Sequence, residues 1–368
     1  MKSVSGKYWE EIKTIKRLTE KIKIDHKLND IQAKIVNSRN FTEEEIFSIN
    51  NNINLSNPFL KNEDFLYGCK ILKNQISKKN KILVVGDYDV DGCTSTALMV
   101  RFLKENNANV NYYIPNRFQD GYGASINLII RLINIYNPKS IIFLDCGSTS
   151  NDVMKYLRIK KVSSIIIDHH NLKKPFPLSD TLINPKKKNK YEKFDYLCTA
   201  FLTFFFIDTY IKINQLKISI EKELIYVTLA TVADVMPIRG YNRILALNVL
   251  KNFNINQNII FTYLCKILKL KNRLNLDNLA YLIAPIFNAP GRLDDANQIV
   301  EMLITKSSKR KIQILKHIYQ LNIKRKFFEK EILKDFNFEN LHKQEGILFI
   351  YKPNIQEGII GIIASRMK

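Results

Sequence analysis

The stretch KILVVGDYDVDGCTSTALM, residues 81–99, decides the fold. Its apolar run Ile82–Val85 is built of β-branched and aliphatic residues and reads as a buried strand. Residues 94–103 carry helical apolar spacing, which leaves 86–93 as the strand-to-helix turn. That turn holds Asp87, Asp89 and Asp91 at alternate positions. Three carboxylates packed this tightly repel one another by on the order of several kcal/mol unless a cation sits among them, and a divalent metal is the natural neutraliser. Gly92 lets the backbone turn sharply, so that free N–H groups at the start of the helix face whatever anion the metal brings. D-x-D-x-D-G also opens a calcium-binding EF-hand loop. That loop needs a helix before it and a Glu at its end, whereas here a strand precedes and 99–101 offers no such ligand. Taken alone, the motif is a metal site or a solvated acidic turn.

The alternation continues outward. Residues 110–114 read as a strand, Ile126–Tyr136 as a helix, 141–144 as a strand, 153–157 as a short helix and 164–167 as a strand. Near-continuous apolar strands alternating with amphipathic helices predict an α/β fold with a parallel sheet covered on both faces. Each strand ends in a polar or charged group: Asp87, then Asn116 and Arg117, then Asp145, then Asp168. The carboxyl ends of strands in an open parallel sheet share one edge, so these residues are expected in one crevice.

Residues 1–50 are polar and basic and read as a helical N-terminal extension, with Asn-rich punctuation at 50–57. A Pro- and Lys-rich loop is expected after Lys173 (Pro175, Pro177, Pro185, then Lys186, Lys187 and Lys188), followed by a mostly helical half from Leu197 to about Phe336. Ile314, Leu315, Ile318 and Leu321 follow helical spacing in a stretch rich in Lys and Arg, which predicts a long exposed helix connecting two domains. Residues 346–351 then read as a strand and 358–367 as a helix of a smaller domain that has only begun when the chain stops.

The 368 residues, 46% of them hydrophobic, allow two or three globular domains with a sizeable core. A balance of 57 Lys+Arg against 35 Asp+Glu gives a formal charge of +22 and favours polyanionic partners such as nucleic acid. Part of that excess is background, since Lys, Asn and Ile are abundant throughout. The five Cys are scattered without a C-x-x-C pair, as expected in a reducing compartment. No apolar signal region opens the chain, and the apolar run 197–211 is polar-interrupted and too short to cross a bilayer. A cytoplasmic protein with no membrane association is expected.

Further candidates lie at the predicted strand ends. Asp145 sits in IIFLDCGST, and His169 and His170 sit in IIIDHHN behind Asp168 and ahead of Asn171. Adjacent side chains in a turn diverge, so one His can ligate metal while the other faces substrate or a supporting carboxylate. Asp234, in TVADVMP, ends an apolar helical stretch. Carboxylate oxygens with one or two imidazoles suit Mn²⁺ or Mg²⁺ better than structural zinc. The set exceeds the needs of one ion but fits two ions about 3.5–4 Å apart that share a carboxylate and clamp a phosphoryl displacement. Arg117 in IPNRFQDGYG and Arg292 in NAPGRLDDA stand in glycine-bearing turns, a usual device for gripping phosphate oxygens.

These motifs, with VVGDYDVDG, LDCGS, NRIL and GIIGIIASRMK, resemble in order and rough spacing the DHH phosphoesterase superfamily, and within it the RecJ family of single-strand-specific 5′→3′ exonucleases. The resemblance covers residues 80–368. It implies a parallel-sheet DHH catalytic domain (51–300), a connecting helix (301–340) and the beginning of a DHHA1 domain (341–368). It further implies that Asp87, Asp89, Asp91, Asp145, His169 and Asp234 hold two Mn²⁺ or Mg²⁺ ions, with Asp145 between them. His170, Asp91 and Asp145 would act catalytically, Arg117 and Arg292 would bind phosphate, and Asp168 and Asn171 would support the histidines. The implied activity is phosphodiester hydrolysis releasing 5′ mononucleotides from single-stranded DNA in repair and recombination. A monomer working with single-strand-binding protein and a helicase is the implied assembly. Hydrolysis of short oligonucleotides or cyclic dinucleotides, or binding of nucleic acid without turnover, are the alternatives. The chain departs from the family in having LCTAF at 197–201, where a loop with small residues and Gly is usual, and NAPGR in place of NAAGR. Family members also continue past the position of Lys368, through the rest of DHHA1 and an OB-fold domain.

Overall fold

Ile82–Val85 forms β1, and its alternation feeds two cores at once. Ile82 and Val84 face a large core shared with the helices of the C-terminal half, while Leu83 and Val85 face a smaller one made with Leu128, Leu132, Val153 and Leu157. Such burial on both faces is what an all-apolar strand requires. The structure is a computed structural model describing residues 3, 4, 6, 8–50, 54–121, 123–187, 192–270, 273–334 and 355–367. Four helices precede or lead into the sheet: α1 (Lys16–Asp25), α2 (Asp30–Ser38), α3 (Glu43–Asn50) and α4 (Glu63–Ser77). Then come α5 (Val90–Glu105), β2 (Val110–Tyr113), α6 (Ile126–Tyr136), β3 (Ser140–Leu144), α7 (Asn151–Ile159), β4 (Ser163–Ile167) and β5 (Thr181–Ile183). Among the described residues the strands form one parallel sheet in the order β2-β1-β3-β4-β5. The order reverses between β1 and β3, and the crevice at such a reversal is where an open parallel sheet binds ligands.

The remaining helices are α8 (Thr199–Ile213), α9 (Leu224–Ala233), α10 (Gly240–Asn252), α11 (Ile259–Ile267), α12 (Ala284–Leu293), α13 (Asn297–Ile304), α14 (Ser308–Lys334) and α15 (Glu357–Met367), with a π-helical turn at Asn278–Ile283 before α12. Both α8 and α9 are apolar nearly all round, which only a buried helix tolerates, and both pack on α5 over the large core.

The structure corrects several expectations. Helix α5 begins at Val90, so Asp91 lies in its first turn and not in the loop. The segment 175–185, expected as loop, contains β5, whose Thr181, Leu182 and Ile183 are all buried against β4. The helical half expected from Leu197 opens with α8, whose N-cap is Cys198. Helix α14 is exposed on one side only, with Ile314, Leu315, Ile318, Asn322, Arg325 and Glu329 all buried. The expected boundary at 300 falls inside α13, which packs on α5. The strand expected at 346–351 lies outside the described residues. Among the described residues, no helix is long and apolar enough to cross a membrane.

Candidate metal centre

The sequence from β1 into α5 sets the first three carboxylates. Asp89 is the N-cap of α5, its Oδ1 accepting the Gly92 N–H at 3.0 Å, and the Asn288 side chain accepts the Val90 N–H at 3.1 Å. Gly92 is demanded by space: a Cβ there would meet the Asp87 backbone at 2.5–2.7 Å. Asp91 is buried against the start of α8, whose Thr199 and Ala200 N–H groups donate to its two oxygens at 2.7 and 2.8 Å. Unpaired N–H groups and the positive end of the helix dipole make that terminus a natural carboxylate holder. Asp145 follows β3 at φ 62°, a left-handed conformation that Asp tolerates better than most residues. Its Oδ1 accepts from Thr199 Oγ1 at 2.9 Å and stands 3.5 Å from His169 Nε2. The same Nε2 is 3.3 Å from Asp234 Oδ2, at the end of α9, and 3.8 Å from Asp91 Oδ2.

Two groups of ligand atoms therefore lie side by side, Asp91–His169–Asp234 and Asp87–Asp89–Asp145, each with its atoms within 4.8 Å of one another. The short separation of Asp145 from His169 joins them. Burial, followed by the charge of Asp89, pushes Asp87 up to about 8 and Asp91 up to about 6. Burial, followed by Asp91, pushes Asp234 to about 7 and Asp145 well above the usual carboxylate range. The buried Asp87 Oδ1 has no hydrogen-bond partner among the described residues. Buried oxygen acceptors crowded without enough donors fit divalent cations with a preference for oxygen and imidazole, and the residues present can hold two.

Residues 81–232 match the profile described as DHH family, N-terminal domain. That match runs from β1 to nearly the end of α9, over the sheet and the first helices of the C-terminal half. It is similar to the single-stranded-DNA-specific exonuclease RecJ of Haemophilus influenzae (30% identity, 83% of this chain, 57% of the relative) and of Escherichia coli (30% identity, 81% and 55%). It thus spans a little over half the length of these relatives. The crystal structure of RecJ in complex with Mn²⁺ from Thermus thermophilus superposes with a TM-score of 0.80 at 22% identity, covering 95% of this chain and 50% of that one, a likeness of fold.

In the DHH tripeptide, Asp168–His169–His170, the aspartate organises the turn. Its Oδ1 accepts the backbone N–H groups of His169 (2.8 Å) and His170 (3.1 Å) and pairs with His170 Nδ1 at 2.8 Å, while Oδ2 accepts the Ser148 N–H at 3.1 Å. Burial alone would raise Asp168, but the bonds to His170 and Ser148 outweigh it and bring the carboxyl to about 2. The hydrogen bond to Asp168 raises His170 to about 9, and its ring stays partly open to solvent. Burial lowers His169. Asn184, just past β5, donates to Ser148 Oγ and to the His170 carbonyl, both at 2.9 Å. Asn171 is exposed and takes no part in these bonds.

Arg117 lies with its guanidinium 4.3 Å over the Tyr88 ring, and its buried Nε has no partner among the described residues. Arg292 is near enough for burial and the Arg117 charge to lower it, and its Nη1 donates to the Gly358 carbonyl at 3.1 Å. The fold thus brings together ten of the eleven candidates, Asn171 being the exception. Sequence reasoning missed Thr199, Ala200, Ser148, Asn184 and Asn288. Three of these, Thr199, Ala200 and Ser148, hold a site carboxylate through a backbone N–H, which any residue except proline supplies.

Proposed function

We propose that the chain is the catalytic part of a metal-dependent exonuclease that removes 5′ mononucleotides from single-stranded DNA, in DNA repair and recombination. The observation that carries this reading is the pair of joined ligand groups centred on Asp145 and His169, together with similarity to single-stranded-DNA-specific exonucleases over four fifths of the chain. Two Mn²⁺ or Mg²⁺ ions held by Asp91, His169 and Asp234 and by Asp87, Asp89 and Asp145 would neutralise the carboxylates, lower the pKa of a water and polarise a phosphodiester. Asp145 serves both groups, and Thr199 Oγ1 fixes its orientation. His170, charged at neutral pH and oriented by Asp168, offers a donor to a phosphate oxygen or to the leaving oxygen. Arg117 and Arg292 present guanidinium N–H groups to neighbouring phosphates, where developing negative charge is best stabilised by fixed donors. The surplus of 22 positive charges favours capture of a polyanion.

The division that goes with this reading is a helical extension (1–50), the DHH catalytic domain (51–300), a connecting helix (301–340) and the start of DHHA1 (341–368). A cytoplasmic monomer that meets strands opened by a helicase and coated by single-strand-binding protein completes it.

The test is release of labelled 5′ mononucleotides from single-stranded DNA, with duplex DNA and dinucleotides alongside, in Mn²⁺. Release from single strands, lowered at least about 100-fold in Asp145→Asn, is expected. A folded chain that releases nothing overturns the proposal, and cleavage confined to dinucleotides moves the activity to short substrates.

A further inference from the structure

Two residues past the end of α9 the backbone takes a conformation that its sequence does not favour. The Val235 N–H donates to the Val232 carbonyl at 3.2 Å and the Met236 N–H to the Thr231 carbonyl at 3.1 Å, the two bonds of a Schellman turn. Such a turn requires a left-handed residue at its corner, usually Gly and sometimes Asn. Here that residue is Val235, at φ 55°. Ten described residues other than glycine are left-handed: four Lys, three Asn, one Asp, one Gln and Val235, which alone is β-branched. Branching at Cβ makes this conformation harder to adopt than it is for any of the others. Packing does not compensate, because the Val235 side chain is 86% exposed. The turn is anchored on either side of it, by Met236 against the large core and by Asp234, whose carboxylate reaches His169. An isopropyl group is thus held out into solvent directly beside Asp234, the proposed ligand whose side chain, 27% exposed, is more open than those of Asp91, Asp145 and His169, in a place where glycine would be the less strained choice.

We infer that the Val235 side chain is a substrate contact, an apolar rest at the mouth of the centre for the sugar or base beside the scissile phosphate. The inference rests on the nuclease reading above and names one residue that shapes how a strand lies in that site. Apolar and aromatic contacts to unstacked nucleotides are indifferent to sequence and add to phosphate contacts. A methyl-bearing side chain that cannot swing away, because its turn is fixed by two hydrogen bonds, limits where the nucleotide settles relative to Asp234.

Substitution separates this role from a structural one, because glycine satisfies the turn better than valine does. In Val235→Gly the thermal midpoint of the 368-residue chain rises by roughly 1–3 °C. In the single-strand assay with Mn²⁺, KM rises about fivefold while kcat stays within twofold. Val235→Ile, which keeps the branched apolar surface, restores the parental KM. Binding of a fluorescent single-stranded oligonucleotide, followed by anisotropy, weakens in the Gly variant by the same factor. An unchanged KM in Val235→Gly overturns the contact. A fall in kcat at constant KM also overturns it, because Val235 would then act only through Asp234. A lowered thermal midpoint overturns the strain on which the inference stands. If the parent hydrolyses single strands and the Gly variant matches it, this inference alone fails. If the parent neither hydrolyses nor binds them, the nuclease reading fails and takes the inference with it.

Discussion

Asp87 and Asp234 hold the clearest consequence at the level of single side chains. Their folded pKa values, about 8 and about 7, lie above the ordinary 3.8 because burial and neighbouring carboxylates oppose ionisation. A group whose folded pKa is raised binds its proton more tightly in the native state, so the stability it contributes is lost as pH rises from the unfolded value through the folded one. The cation-free chain is therefore expected to melt at a lower temperature at pH 8 than at pH 6, by at least about 2 °C. Added Mn²⁺ reverses the order, since the ions replace those protons and bind better when the carboxylates are ionised. Scanning calorimetry at the two pH values, with and without Mn²⁺, checks both signs. A midpoint independent of pH and metal would show that these carboxylates do not share one electrostatic site.

At the scale of elements, the turn from β1 into α5 shows two physical effects in opposition. Helix propensity alone says that Ala at position 92 stabilises α5 by about 1 kcal/mol. A Cβ there would sit 2.5–2.7 Å from the Asp87 backbone, which cannot swing aside as a flexible side chain could. Steric overlap wins, and Gly92→Ala is expected to destabilise the chain by about 2 kcal/mol or more and to displace Asp87 and Asp89, read as a lower denaturation midpoint and weaker Mn²⁺ binding. The apolar strands β1, β3 and β4 were legible in the sequence because burial on both faces leaves a run that no other element of that length explains. β5 was not, since three residues between a proline-rich stretch and Asn184 carry too little pattern, and its assignment depends on pairing with β4. The start of α5 was placed four residues late because its first turn is polar, with Asp89 as cap and Asp91 facing α8, so helical apolar spacing begins only after it. The ligands could be found because carboxylates and imidazoles are rare at the ends of apolar strands. The N–H groups of Thr199 and Ala200 that hold Asp91 could not, because a backbone N–H leaves no mark on residue type.

Across the whole molecule, the α1–α3 unit is built differently from the rest. Its small core of Leu28, Ala33, Val36 and Ile46 is separate from the two cores that flank the sheet. It meets the α10 end through charged and polar contacts: Glu45 accepts from Arg239 Nε at 2.8 Å and Nη2 at 2.6 Å, Arg239 also reaches the Asn40 carbonyl at 3.0 Å, and Arg243 Nε donates to Ser48 Oγ at 3.3 Å. The hydrogen bond to Arg239 is the main reason Glu45 falls to about 2, against the burial that opposes it. A lowered carboxylate contributes stability above its ordinary value of 4.5 and loses it as pH falls through about 2, so this attachment survives mild acid. Arg239→Ala removes the guanidinium and leaves Glu45, 6% exposed, without its charge partner. Breaking a pair that is buried on one side only is expected to cost about 2 kcal/mol, which converts to a roughly thirtyfold rise in local opening. Hydrogen exchange resolved by peptide should show that acceleration across α1–α3, with β1, β3 and β4 unchanged. Equal acceleration in the sheet would mean that the N-terminal helices and the catalytic core open as one cooperative unit, and that the polar contacts to Glu45 are not what sets the stability of the attachment.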